Sequence, residues 1–259
     1  SFQHRLDWTW TQHPFAADDV GCHKAHTTTT HGIYELFEPL LRGTPTLILA
    51  DPQVIPDAIN RLQQREVEKL LASNRAAIET PFAGAWAGDA EGDVTLIEFF
   101  DFNCPYCREG KGDVDRLLAE DKRLKVVWRD FPVLSEESQR FALASLSAAR
   151  QGRYRQFLDA VFDNPGRLDE VRLIAAIRKA GLDERRTAAD LASAELRQEL
   201  ESNLNLGRAL GLTGTPSYIV GNRILSGAVG YEELKKAVAE ARRRPEDPAP
   251  GGAPRPAAS

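Results

Sequence analysis

Two cysteines separated by two residues are the side chains of this sequence best suited to covalent chemistry. Cys104 and Cys107 enclose Pro105 and Tyr106, and the chain has one further cysteine, Cys22. Three cysteines in 259 residues are too few for a scaffold held together by disulfides. The spacing therefore indicates a reactive pair that cycles between dithiol and disulfide.

The position of the pair suggests a mechanism. It follows the apolar run Val94–Phe100, which predicts a buried strand, and precedes residues 114–118, whose apolar side chains have helical spacing. At a helix N-terminus, unpaired N–H groups and the helix dipole favour an anion and lower a thiol pKa. Cys104 is thus expected to be the exposed thiolate that forms mixed disulfides, and Cys107 the thiol that resolves them.

Two other roles compete with this one. A closed zinc site needs four ligands, and the remaining candidates follow no regular zinc spacing: Cys22, His23, His26 and His31. A purely structural disulfide would stabilise weakly, because so short a loop removes little chain entropy. We therefore expect no metal and no cofactor beyond the redox-active pair.

A carboxylate within the predicted strand is a further candidate. Glu98 lies in the apolar run, six residues before Cys104. A buried carboxylate is costly without a partner, and one beneath the cysteines can accept the proton of Cys107 during exchange. The alternative is that Glu98 faces solvent at a sheet edge.

The chain divides into segments of different composition. Residues 1–32 hold all five histidines and show no periodicity, which indicates an irregular or foreign extension. Residues 33–83 are helical in pattern, with an apolar stripe that favours a homo-oligomerisation arm. Residues 84–92 indicate a linker that opens a domain over 84–243. The tail, 244–259, is rich in Pro, Gly and Ala and is predicted to be disordered.

The domain itself is predicted to be α/β. Strands are expected at 94–100 and 124–131 with a helix between them, followed by a helical insertion over about 133–211. A hairpin over 217–225 and a helix over 231–242 complete it.

The overall composition excludes several classes of partner. A net charge of -5 gives no electrostatic reason to bind nucleic acid or an anionic membrane. No run approaches the roughly 20 apolar residues that a spanning helix requires, and no signal-like segment opens the sequence.

In this order of elements, together with the cysteine tetrapeptide and Gly214–Ser217, the chain resembles the thioredoxin fold. More narrowly, it is similar to the DsbA-like branch of bacterial envelope proteins, in which a helical domain interrupts that fold. The resemblance covers about residues 94–242 and includes the run Phe99–Cys107. It implies a thioredoxin fold with a helical insertion, preceded by N-terminal helices.

The resemblance also implies roles for individual residues. Cys104 corresponds to the nucleophile, Cys107 to the resolving cysteine and Glu98 to the buried acid. Pro216 corresponds to a cis-proline, and Thr215 and Pro216 to the segment that holds an extended substrate peptide.

The direction of exchange stays open. Relative to the best-known oxidase of the branch, Tyr106 replaces a histidine and Thr215 replaces a valine; threonine is similar to the isomerase members. Loss of that histidine removes a cation, so Cys104 is expected to be less acidic than in the oxidase. Pro105 and Tyr106 belong with Thr215 and Pro216 to the implied substrate-binding surface.

The expected partners are thiols of unfolded or misfolded proteins, together with a membrane or soluble redox partner that resets the pair. The expected compartment is periplasmic or extracytoplasmic. Two alternatives share the fold: a noncatalytic oligomeric holdase or scaffold, and a glutathione-dependent enzyme acting on small molecules. The intact cysteine pair counts against the second, which usually lacks one cysteine.

Overall fold

The computed structural model describes residues 21–23, 46–48 and 54–243, with side chains from residue 59 onward. The chain divides into two units, with the boundary between Arg65 and Glu66. The predictions made for the tail and for most of the N-terminal extension lie outside the described residues.

Two short strands in the first unit differ from the sequence-based expectation. β1 (Gly21–His23) pairs in parallel with β2 (Thr46–Ile48). The first lies where an irregular segment was expected and the second where a helix was expected, so both expectations are wrong at these positions. Three residues are too few for a periodic pattern to identify a strand.

A 26-residue helix, α1 (Val54–Glu79), confirms the helical pattern before the domain. In the second unit its side chains Leu71 and Ile78 are buried and pack in one cluster with Ile97 and Phe99. α1 is therefore a long helix whose C-terminal half forms part of the domain core.

Five strands form the sheet of the domain, in the order β3-β5-β4-β6-β7. Their bounds are β3 Trp86–Gly88, β4 Val94–Phe100, β5 Leu124–Asp130, β6 Ser217–Val220 and β7 Arg223–Ser226. The central strand β4 runs parallel to β5 and antiparallel to β6. The predicted linker is wrong in part, because β3 lies within it and pairs with β5. Glycine-rich composition concealed this three-residue edge strand.

In the described part of the second unit, seven helices follow α1. They are α2 Pro105–Glu120, α3 Glu136–Arg150, α4 Tyr154–Phe162, α5 Glu170–Lys179, α6 Glu184–Leu191, α7 Ala194–Ala209 and α8 Tyr231–Arg243. Helices α3 to α7 lie between β5 and β6 and confirm the helical insertion. Four of them begin at side-chain N-caps, which satisfy otherwise unpaired N–H groups: Ser135, Asp169, Asp183 and Ser193.

The two faces of β4 enter different cores, because successive side chains of a strand point in opposite directions. Leu96 and Phe100 belong to the cluster that contains both cysteines and the insertion helices. Ile97 and Phe99 belong to the cluster that contains α1. Glu98 alternates with Ile97 and Phe99, so its side chain points to the cysteine side. Among the described residues, no helix combines the length and apolar character needed to cross a bilayer.

Candidate active site

Cys104 is the N-cap of α2, and its sulfur takes the place of the usual capping oxygen. The Cys107 backbone N–H donates to Cys104 Sγ over 3.4 Å. Pro105 occupies the first turn, where its missing N–H has no helical partner to lose. The Cys104 thiol in turn donates to the Thr215 carbonyl oxygen over 3.2 Å.

This environment lowers the pKa of Cys104 from 9.0 to about 6. The interaction with Cys107 lowers it most, burial opposes it, and a contribution from Thr215 lowers it further. With a pKa near 6, most of Cys104 is thiolate at neutral pH. The thiolate is the reactive form of a cysteine, so this environment makes Cys104 the better placed of the two sulfurs for nucleophilic attack.

The expectation that Cys104 is exposed is wrong for this dithiol state, because the residue is 3% exposed. The segment at Thr215 lies directly against its sulfur and covers it. Tyr106, by contrast, is 61% exposed, and Pro105 beside it is also exposed. The surface next to the sulfur is thus formed by the two residues between the cysteines.

Cys107 has the opposite electrostatic character. It is fully buried, and burial raises its pKa far above the ordinary value, with further increases from Cys104 and from the charge of Glu98. One sulfur of the pair holds charge and the other holds a proton. A thiol with so high a pKa needs a base to take its proton before it can act as a nucleophile.

Glu98 is buried at 4% exposure, so the alternative of a solvent-facing carboxylate is wrong. The Trp128 indole N–H donates to Glu98 Oε2 over 3.0 Å. Burial raises the pKa of Glu98 from 4.5 to about 8, and the indole hydrogen bond opposes that rise. The carboxyl can therefore change its protonation state near neutral pH.

Thr215 and Pro216 lie at the cysteines, as the resemblance implies. Their peptide bond is cis, and the Pro216 carbonyl accepts a hydrogen bond from the Gly227 N–H over 2.8 Å. The Thr215 hydroxyl is buried and makes no hydrogen bond within the described part of the chain. The site therefore brings together Cys104, Cys107, Glu98 and Thr215.

Sequence reasoning missed Asp101, which organises the loop before Cys104. Its buried carboxylate accepts hydrogen bonds from the backbone N–H groups of Asn103, Val133 and Leu134, over 2.8, 2.9 and 2.9 Å. Asp101 thus joins the loop that leads to Cys104 to the loop that follows β5. An aspartate two residues before an asparagine, directly after a buried strand, is the turn signal that points to it.

A second buried carboxyl, Asp130, was also missed. The Ser145 hydroxyl donates to it over 2.6 Å and the Tyr154 hydroxyl over 3.1 Å. Burial raises its pKa from 3.8 to about 7. Asp130 lies two residues beyond Trp128 on β5, so both side chains point to the face that carries Glu98.

Within residues 59–243, no group of histidine, cysteine or acidic side chains is arranged to hold a metal ion. The zinc alternative through Cys22 falls on side chains outside the described set.

A sheet of this order, a helical insertion, a Cys-X-X-Cys helix N-terminus and a cis-proline segment against it define a thioredoxin-fold protein of the DsbA type. The family model described as a DSBA-like thioredoxin domain matches residues 95–239. The chain belongs to this family.

Solved structures agree with this assignment. A thioredoxin-like oxidoreductase from Silicibacter pomeroyi DSS-3 is 35% identical, with a TM-score of 0.62, over 64% of this chain and 96% of that one. The catalytic domain of Proteus mirabilis ScsC is 25% identical, with a TM-score of 0.63, over 68% of this chain and 99% of that one.

The curated relatives that match this chain are named as antiporters. The Na(+)/H(+) antiporter NhaA of Herminiimonas arsenicoxydans is 35% identical over 158 residues, which make up 61% of this chain and 25% of that protein. The chain therefore spans about a quarter of the length of the curated relatives that it matches.

Proposed function

We propose that this protein is a thiol-disulfide oxidoreductase that acts on protein substrates through Cys104 and Cys107. The observation that carries the proposal is the opposite character of the two sulfurs. Cys104 is stabilised as a thiolate at a helix N-terminus, while Cys107 is held protonated in the core near Glu98. Membership of the DSBA-like family supports the proposal.

The reaction follows from that difference. The Cys104 thiolate attacks a substrate disulfide, forms a mixed disulfide and releases one substrate thiolate. Cys107 then gives up its proton, attacks Cys104 Sγ and releases the second substrate thiolate as the internal disulfide closes. The substrate gains two electrons and the cysteine pair loses two. The reverse sequence donates a disulfide, and neither direction requires a further cofactor.

The surface around the sulfur suits an extended peptide. Thr215 and Pro216 lie beside Cys104, and three apolar side chains at the same end of the sheet are exposed: Tyr106, Val133 and Leu134. Unfolded or misfolded proteins present both apolar side chains and free thiols. We therefore propose that the thiols of unfolded or misfolded proteins are the substrates. A separate membrane or soluble redox partner would reset the cysteine pair.

The acidity of Cys104 bears on the direction of exchange. A stabilised thiolate stabilises the dithiol form and makes the couple more oxidising. A pKa of about 6 lies between values of about 3.5 for the strong oxidase DsbA and about 7 for thioredoxin. We propose an intermediate reduction potential, between about -120 and -270 mV, which suits disulfide donation or isomerisation. Such a couple works best in a periplasmic or extracytoplasmic compartment.

The test is the reduction potential of the pair. The protein is equilibrated in glutathione buffers of graded ratio, and its thiols are then trapped with a maleimide and counted by mass. Cys22→Ser is the matched control, because it removes the cysteine outside the pair and should leave the potential unchanged. Absence of a reversible couple in the Cys22→Ser protein would exclude the proposed function.

Exposed apolar side chains on α1, before the domain, suggest that the chain binds a second copy of itself. Ile59 and Leu62, one turn apart on α1, are 50% and 59% exposed. We propose that copies associate through this half of α1. Light scattering should show a multiple of the chain mass for the unsubstituted protein and a single-chain mass for Ile59→Asp/Leu62→Asp. A monomeric unsubstituted protein would exclude association, and the oligomeric holdase with it.

The similarity to part of the antiporter sequences favours a second possibility, in which the same redox domain belongs to a longer polypeptide. We propose that this domain can serve as the redox portion of a polypeptide that also carries an Na(+)/H(+) antiporter. An antibody raised against residues 84–243 should then detect a membrane-bound band much larger than 259 residues in cells that make the native protein. A band of about 259 residues in the soluble extract would instead indicate a separate protein.

A further inference from the structure

Tyr218 is a buried residue that the mechanism above does not use. It lies on β6 directly opposite Glu98 of β4 and is 1% exposed. Its hydroxyl makes no hydrogen bond to any residue that the structure describes. Buried hydroxyl groups nearly always have a partner, so one without a partner next to a reactive site calls for a functional explanation.

The active-site helix is shaped to admit this hydroxyl. Gly110 lies one turn after Cys107 on α2, and a Cβ atom at Gly110 would come within 2.4 Å of Tyr218 Oη. Any larger residue at this position would displace the phenol or the helix. The hydroxyl therefore lies between the strand that carries Glu98 and the helix that carries Cys107.

Electrostatic effects show that both groups are close to the phenol. Burial raises the pKa of Tyr218 most, and the charges of Glu98 and Cys107 raise it further. Tyr218 in turn lowers the pKa of Glu98. Tyr218 and Glu98 are close enough to shift each other's pKa, although the Tyr218 hydroxyl makes no hydrogen bond in this structure.

We propose that the Tyr218 hydroxyl relays the proton of Cys107 to Glu98 when the mixed disulfide is resolved. This inference rests on the proposed thiol-disulfide exchange. The phenol oxygen accepts the proton that leaves Cys107 Sγ while its own proton passes to the Glu98 carboxylate. The phenol is neutral before and after the step.

The step that follows this proton transfer is an ordinary disulfide exchange. The Cys107 thiolate attacks Cys104 Sγ, the internal S–S bond forms, and the bond between Cys104 and the substrate breaks. The substrate sulfur leaves as a thiolate with the electron pair of that bond. In the reverse direction the Glu98 carboxyl returns its proton through the same hydroxyl.

Other charged groups face this pair from the packed helices. Asp113 of α2 raises the pKa of Tyr218, and Asp115 of the same helix raises that of Glu98. Arg155 of α4 lowers the pKa of Glu98 and also pairs with Asp115. These groups stay unchanged in the variants below, so a difference in the pH profile reports on the phenol.

The test separates the two chemical steps in one reaction. The reduced Cys22→Ser protein is mixed with 5,5′-dithiobis(2-nitrobenzoate) in a stopped-flow instrument. Attack by Cys104 releases one coloured aryl thiolate, and attack by Cys107 on the resulting mixed disulfide releases a second. In Tyr218→Phe we expect an unchanged first phase and a second phase slowed by about tenfold or more, with an altered pH profile.

Controls distinguish a relay from a structural effect. Tyr231→Phe removes a hydroxyl that bonds Glu120 at the far end of α2, and it should leave both phases unchanged. In a Glu98→Gln background, Tyr218→Phe should slow the second phase no further, because the acceptor is already absent. An unchanged second phase in Tyr218→Phe, or additive slowing in the double variant, would overturn the relay. Absence of any second phase in the parent protein would instead refute the proposed function.

Discussion

Replacing Glu98 with glutamine tests whether burial of this carboxyl controls how stability depends on pH. Burial raises its pKa to about 8 in the folded protein, against an ordinary value of 4.5. The unfolded chain therefore loses this proton at lower pH than the folded chain does. The contribution of Glu98 to stability is fully present below pH 4.5 and is lost as the pH rises through about 8.

The size of the effect follows from the two pKa values. One pKa unit corresponds to about 1.4 kcal/mol, so the interval from 4.5 to about 8 corresponds to a loss of about 5 kcal/mol. Asp130, with a pKa raised from 3.8 to about 7, adds a loss of about 4 kcal/mol in an overlapping range. Glutamine is neutral at every pH and its amide oxygen can still accept the Trp128 hydrogen bond. Glu98→Gln should therefore remove roughly half of the total loss.

The measurement is urea unfolding followed by tryptophan fluorescence between about pH 4.5 and 8.5. The oxidised protein is used, because the lowered pKa of Cys104 makes the reduced form gain stability over part of the same range. Asp130→Asn should remove the other half of the loss. Glu120→Gln is the control, since the pKa of that exposed carboxyl is lowered to about 2 and lies outside the range. If Glu98→Gln lost stability as steeply as the unsubstituted protein, the argument from burial would be wrong.

Three further predictions test other parts of the structure. Thr215→Val should raise the pKa of Cys104 by removing a hydroxyl that lowers it, while Thr215→Ser should preserve it; thiolate absorbance against pH measures both. Gly110→Ala should lower the free energy of unfolding by about 1–3 kcal/mol, because the new Cβ meets Tyr218 Oη at 2.4 Å. Tyr218→Phe should relieve most of that loss in denaturant unfolding of the double variant, since the nearest ring carbon is 3.8 Å away. Arg129→Met should cost about 3–5 kcal/mol in the same assay and leave the thiolate titration unchanged, because this buried guanidinium binds the carbonyls that end α1.

The sequence predicted the parts of the fold whose signal is local and long. The predicted strand at 94–100 coincides with β4, and the predicted helical insertion over about 133–211 contains α3 to α7. The strand at Trp86–Gly88 escaped because three residues at a sheet edge carry no period and its pairing to β5 is non-local.

The sequence predicted only those residues of the candidate site that nearby residues in the chain make recognisable. Cys104 and Cys107 are recognisable by spacing, and Glu98 by its polarity within an apolar run. Tyr218 has the aromatic character expected of any buried strand residue, so its sequence context suggests packing alone. Its significance depends on Gly110, which lies 108 positions earlier in the chain and meets it only in the folded protein.

Strand alternation couples the proposed chemistry to the fold. Glu98, Trp128, Asp130 and Tyr218 come from three neighbouring strands, yet register and alternation direct all four to the face covered by α2 and the insertion. A slip of one residue between β4 and β6 would turn Glu98 toward the α1 side and replace it by an apolar neighbour. The acid, the relay hydroxyl and the resolving thiol would then be separated at once. The alternating apolar side chains that fix this register therefore also hold the proton path in place.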